Sequence, residues 1–332
     1  MIRVAVDAMG ADLGPEEIVA GARDAASETI VPVLFGSHGL DSAGLELVET
    51  SQVIEMADPP TEAVRSKPDS SLVVACRAVA EGRADAVVSA GNTGAMLAAG
   101  LFELRRLPGV LRPAIAVTIP ARLGPSVLID AGANADARPE HLLQFGTMGA
   151  VFAEQLLGID SPEVRLLSIG EEPEKGNALT LEAHALLAAA DLNFGGNVEG
   201  RDLLEGAADV VVCDGFTGNV CLKLTEGTIR ALLDAFREEI TSTARGRLGG
   251  VLIRPAARRL RDRLDPDAYG GAYLLGLKGL AVVAHGNSNR RAIANAIRLA
   301  AKGVENRVVE RLAERLPGGV VASARSTTPT PK

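Results

Sequence analysis

Short apolar runs rich in Val and Ile recur along the chain, and they constrain its fold more than any other feature. They are Ile2–Val6, Val31–Phe35, Ala86–Ser89, Ile115–Ile119, Val127–Ile129, Val164–Ile169, Val210–Cys213 and Leu280–Ala284. Runs this short, bounded by Gly, Asp and Pro, suit strands covered on both faces, where neither face needs polar residues. Ala- and Leu-rich amphipathic stretches separate many of them, as at Glu16–Ser27, Ser70–Glu81, Pro139–Leu157 and Asn177–Ala190. Strand alternating with helix predicts an α/β fold, a mostly parallel sheet with helices on both faces. Longer helices are expected over about Thr217–Thr243 and Ser288–Leu316. Residues 317–332 hold Pro, Ser and Thr without periodic apolar positions and read as a disordered tail. A length of 332 residues accommodates two lobes or one broad sheet.

Ligands of open sheets bind beyond the carboxyl ends of the strands. Polar segments with Gly fall at that place after six of the apolar runs: 7–12, 89–94, 130–134, 170–177, 214–219 and 285–289. Their shared position predicts one composite site. Several familiar sites are excluded. No Lys is followed by Ser or Thr, no G-x-G-x-x-G opens a helix, and no Ser sits in a G-x-S-x-G elbow. The four histidines are scattered and the three cysteines (Cys76, Cys213, Cys221) lack metal spacing, so no metal is expected. Scarce aromatics (3%) and a net charge of −8 argue against a nucleic-acid binder. The chain opens on a strand with no basic, apolar leader, and its longest charge-free stretch, Ala86–Phe102, is interrupted by polar residues. A cytoplasmic protein is expected, with no membrane span.

The segment Ser89-Ala90-Gly91-Asn92-Thr93-Gly94 lies between a strand and a helix. Glycines admit an oxyanion to backbone N–H groups, and Asn92 and Thr93 offer side-chain donors; the same residues also suit a plain capped turn. Lys175, beside Gly176 and Asn177, can hold an anion or simply lie solvated among Glu171, Glu172 and Glu174. Asp214 to Asn219, followed by Lys223, and His285 offer further donors with equally ordinary alternatives as caps or structural groups. The stretch 245–263 holds seven arginines and one acidic residue among Leu248, Val251, Leu252, Ile253 and Leu260. Such an element, in a hairpin over about 228–264, suits an anionic membrane surface or an acidic protein. Its key residues are Arg245, Arg247, Leu252, Ile253, Arg254, Arg258, Arg259 and Arg261.

Ordered motifs carry a family resemblance. Asp7-Ala8-Met9-Gly10, the 89–95 run, Asp130-Ala131-Gly132-Ala133-Asn134, 169–177, 196–202, 214–223, 270–276 and 285–288 together resemble the bacterial phosphate acyltransferases (PlsX family). The resemblance implies transfer of a fatty acyl group from acyl-carrier protein to inorganic phosphate. The acyl phosphate then passes to a membrane glycerol-3-phosphate acyltransferase for phospholipid synthesis. It also implies a homodimer, no cofactor, and a two-lobed domain over 1–316 akin to isocitrate and isopropylmalate dehydrogenases, with the basic hairpin protruding. On this basis Gly91, Asn92, Thr93, Gly94, Asn177, Asn219 and Lys223 are expected to hold phosphate. Lys175, His285 and Asn92 are expected to be catalytic, and Asp7 and Asp214 to orient partners. The enzyme is expected to rest peripherally on the inner face of the membrane. Two rivals are an NAD-dependent decarboxylating dehydrogenase of the same fold and a non-catalytic module that binds carrier protein or lipid.

Overall fold

The computed structural model describes residues 1–264 and 270–316, so the expected tail 317–332 lies outside the described residues. In chain order the elements are β1 (Ile2–Asp7), α1 (Pro15–Ala25), β2 (Ile30–Ser37), β3 (Glu46–Thr50), α2 (Pro60–Ser66), α3 (Ser71–Ala80), β4 (Ala86–Ser89) and α4 (Thr93–Ala99). Next come β5 (Ala114–Ile119), β6 (Ser126–Ile129), α5 (Pro139–Phe152), β7 (Val164–Ser168), α6 (Ala178–Ala188), β8 (Phe194–Glu199) and β9 (Val210–Val212). The chain closes with α7 (Gly215–Ser242), α8 (Ala244–Leu264), β10 (Ala272–Leu275), β11 (Leu280–Val283), α9 (Arg290–Glu305) and α10 (Val308–Arg315). Helices α4 and α5 each run on into a π-helical turn, Gly100–Leu104 and Ala153–Leu157. The long helix expected over Ser288–Leu316 is split, because Arg307 adopts a left-handed backbone (φ 55°).

All eleven strands form one sheet in the order β3-β2-β1-β4-β11-β10-β5-β6-β9-β7-β8. The sheet is mostly parallel, as expected, with antiparallel pairing only at β11–β10, β10–β5 and β5–β6. Those three pairings change the geometry. The block β3-β2-β1-β4-β11 points one way, and the block β6-β9-β7-β8 points the other. The six polar segments therefore do not share one edge. Those after β1, β4 and β11 leave one end of the sheet, and those after β6, β7 and β9 leave the opposite end.

Side chains alternate along β5, so Ala114 and Ala116 face one core while Ile115 and Ile119 face the other. The first core lies under α1, α5, α9 and α10, and the second under α2, α3 and α4. The two blocks meet at β10 and β5, and loops from both ends of the sheet lean over this junction. A cavity lies over that junction.

Candidate active site

The loop after β4 is built from its neighbour β1, whose Asp7 sits beside Ser89 in the register. Buried Asp7 accepts the Ser89 hydroxyl (2.7 Å) and the Met9 amide (3.2 Å), while the Ser89 hydroxyl accepts the Gly91 N–H (3.1 Å). Burial lifts the Asp7 carboxyl above its ordinary range, against the opposing pull of hydrogen bonds from Ser71, Ser89 and Met9. The Asn92 side chain is committed too. Its amide donates to the carbonyls of Met56 (3.0 Å) and Asp58 (3.1 Å), and its oxygen accepts Ala95 N–H (3.0 Å) as the cap of α4. Gly94 is required by crowding, since a Cβ there would lie 2.7 Å from the Pro60 ring. Asp7, Gly91 and Asn92 thus shape the turn, and Thr93 and Gly94 are the residues presented to the cavity.

The opposite wall is organised by Asp130, which is fully buried. One carboxylate oxygen accepts the N–H groups of Ile115, Gly132 and Ala133 (3.0, 3.2 and 3.0 Å). The other accepts the Asn134 backbone N–H (2.7 Å) and its side-chain amide (2.9 Å). Removing this carboxylate would strand backbone donors at about 1–3 kcal/mol each. Helix α7 begins directly against this loop. A Cβ on Gly218 would lie 1.9 Å from the Asp130 carbonyl oxygen, and one on Gly215 would lie 2.7 Å from Asn134 N. Only glycine permits that approach. Asp214 caps the helix by accepting the Thr217 N–H (2.9 Å) and hydroxyl (2.7 Å).

Helical spacing from this anchored start places Asn219, Leu222, Lys223, Glu226 and Ile229 on the cavity side. Lys223 Nζ lies 3.0 Å from one Glu226 oxygen, and His285 Nε2, arriving after β11, lies 3.0 Å from the other. Burial alone would raise the Glu226 carboxyl, but His285 and Lys223 outweigh it and hold it below its ordinary value. Glu226 was not singled out from the sequence, although its position three residues after Lys223 is a readable helix-pair signal. Asp130 lay in a flagged segment without an assigned role.

These groups enclose a cavity of about 380 Å³. Its lining combines polar groups (Thr93, Gly94, Asn219, Lys223, Glu226 and His285) with apolar side chains (Ile115, Val117, Ile119, Leu222, Ile229 and Val283). Such a lining offers donors to an anion and apolar contacts to a hydrocarbon chain. The structure does not bring Lys175 or Asn177 here. Their loop follows β7, which is separated from β6 by β9. Asn177 caps α6 by accepting the Thr180 N–H (2.9 Å), and Lys175 is exposed, held by backbone contacts to Glu172 and Ser168. Among the described residues no group of His, Cys, Asp and Glu is arranged to hold a metal.

Helix α8 folds back along α7, so that Leu264 returns to line the cavity beside Ile229. Gly246 lets the two helices close at the turn, where a Cβ would lie 2.2 Å from the Ile240 carbonyl oxygen. No residue of α8 is buried; Leu252 is 78% and Ile253 41% exposed, and Leu248 and Val251 also face outward. Among the described residues, none of the arginines Arg245, Arg247, Arg254, Arg258, Arg259, Arg261 and Arg263 forms an ion pair with a carboxylate. A purely self-neutralised surface would show such pairs. No helix of the described residues is long and apolar enough to cross a membrane.

A family model described as "Fatty acid synthesis protein" matches residues 2–311. A protein of Heliobacterium modesticaldum curated as "Phosphate acyltransferase" is 46% identical over 331 residues, covering 96% of this chain and 99% of its own. The chain belongs to the phosphate acyltransferase family. Among solved structures, a phosphotransacetylase from Streptococcus pyogenes superposes with a TM-score of 0.62 at 17% identity, covering 92% of this chain and 94% of its own. A 4-hydroxythreonine-4-phosphate dehydrogenase from Klebsiella pneumoniae gives 0.53 at 14% identity, covering 94% and 100%. These likenesses establish the fold, a dehydrogenase-like sheet, and nothing of the chemistry.

Proposed function

We propose that this chain transfers a fatty acyl group from acyl-carrier protein to inorganic phosphate, giving acyl phosphate. The observation that carries the reading is the cavity's mixed lining, in which donors from Lys223, Asn219, Thr93 and Gly94 share one cavity with the apolar side chains of β5 and α7. Phosphate is anionic at neutral pH and needs no strong base before it attacks the thioester carbonyl. The enzyme's task is to hold two negatively charged reactants together and in line, which supplies much of the acceleration. Donors fixed in advance around the developing oxyanion supply more. Thr93, Gly94 N–H, Asn219 and Lys223 hold the phosphate, and the fatty chain lies against Ile115, Val117 and Ile119. An acyl-cysteine intermediate has no support, because Cys76 and Cys213 are buried, Cys221 is half-buried, and burial pushes all three thiols up.

Lys175 stands outside the cavity of its own chain. We assign it to the reacting groups of a second copy in a homodimer, where an exposed loop cation can stabilise charge across the interface. The α7–α8 hairpin receives the acidic carrier protein through its unpaired arginines, and its outward Leu248, Val251 and Leu252 rest on an anionic membrane. There a membrane glycerol-3-phosphate acyltransferase consumes the acyl phosphate. Thiol released from acyl-carrier protein, followed with and without phosphate, tests the reading. Phosphate-dependent release with acyl phosphate as product is expected; binding of carrier protein without it would reduce the chain to a binding module.

A further inference from the structure

The overall transfer moves one proton. Hydrogen phosphate enters with an O–H, the new O–C bond forms, the C–S bond breaks, and the products are acyl phosphate dianion and free thiol. The proton that leaves phosphate is the one sulfur must gain, so the site needs a carrier between those two atoms and no outside acid or base.

We infer that Glu226 is the positioning residue that makes His285 this proton carrier. His285 and Glu226 both line the cavity, and the ring makes one polar contact among the described residues, Nε2 to Glu226 Oε1 at 3.0 Å. At that distance a small turn of the ring aims the Nε2 proton at the otherwise unpartnered Oε1, which leaves Nδ1 with the lone pair for the reactants. Nδ1 takes the phosphate proton as the O–C bond forms. The resulting imidazolium is stabilised by the Glu226 carboxylate and gives the same proton to the departing sulfur. A carboxylate that fixes tautomer and orientation without exchanging its own proton is the logic of a histidine–acid pair in acyl transfer.

Two features fit Glu226 to this part. Its side chain is only 15% exposed, which fixes its position, and its second oxygen is held at 3.0 Å by Lys223 Nζ. Lys223 thereby keeps Glu226 ionised while the ring carries the proton. The direction of the Glu226 titration, below its ordinary range because of His285 and Lys223, agrees with a carboxylate that stays charged.

The inference rests on the acyl-transfer reading, and the test separates the two. Turnover of the full chain is measured with a carrier-protein thioester and with an aryl thioester of the same fatty acid, whose thiolate departs stably without a proton. Glu226→Gln should lose about 30-fold with the alkyl thioester, within the range general acid–base groups supply, yet only about 3-fold with the aryl one. Glu226→Asp should recover part of the loss, and His285→Ala should show the same donor dependence more strongly. Equal losses with both donors, at unchanged melting temperature, would mark Glu226 as a packing or phosphate-binding residue and overturn the proposal. Absence of phosphate-dependent thiol release in the unsubstituted protein would overturn the parent reading instead.

Discussion

Helix α7 crosses two contrasting environments. Its first turns are anchored: Gly215 and Gly218 are buried against the Asp130 loop, Asp214 caps the first amides, and Lys223 and Glu226 are paired with each other. Farther along, Leu232 and Phe236 are 66% and 54% exposed, and the partner helix α8 buries nothing. At the anchored end polar groups have fixed partners, so geometry is set before a reactant arrives. In the outer hairpin Asp262 pairs with Arg291, but the seven arginines of α8 have no carboxylate partner among the described residues. Preorganised donors lower barriers, whereas unpaired exposed charge changes encounter and location. Substitutions at the two ends should therefore fail differently.

The largest effect is expected at the anchored end. Lys223→Ala should lower thiol release by about 10²–10³-fold, with a lowered melting temperature as well because one oxygen of the largely buried Glu226 loses its partner. Normal turnover would remove Lys223 from the site. Next comes Lys175→Ala, expected to cost about 10²-fold. Mixing it with Lys223→Ala should return about a quarter of full activity, because half the symmetric dimers become mixed and each mixed dimer has one intact site. Failure to recover activity on subunit exchange would exclude a contribution across the interface. The smallest effect belongs to the hairpin. Replacing Arg258, Arg259 and Arg261 together with Glu should raise KM for acyl-carrier protein about 10-fold, with salt sensitivity reduced and kcat nearly unchanged. Vesicle flotation with anionic lipid measures the membrane part. A fall in kcat with normal binding would erase the contrast between the two ends.

Much of this was legible in the chain itself. The Val and Ile runs mark the buried strands β1, β2, β4–β7, β9 and β11, because strands covered on both faces are apolar throughout. β3 and β8 escaped, being edge strands that carry Glu46, Glu49, Gly195 and Gly196. β10 escaped because it is four residues long between glycines. The reversal of strand direction at β10 and β5 has no local signature, so the single shared edge expected from the polar segments became two edges facing one junction. Site residues were legible by type more than by role. An Asn before a helix reads alike as ligand donor or cap, and only the fold shows that Asn92 caps α4 while its amide bonds the carbonyls of Met56 and Asp58, more than thirty residues away. Lys175 follows a strand as the other candidates do, but its strand lies one position too far across the sheet. Glu226 draws its importance from His285, a contact that only the fold creates.

The central claim is that the junction over β5 holds phosphate within reach of an acyl thioester. Crystals grown without phosphate and then soaked in it test this most directly. The account predicts a tetrahedral anion between Lys223 and the Thr93–Gly94 turn, close to His285. An anion bound reproducibly elsewhere, with this cavity empty at saturating phosphate, would contradict it.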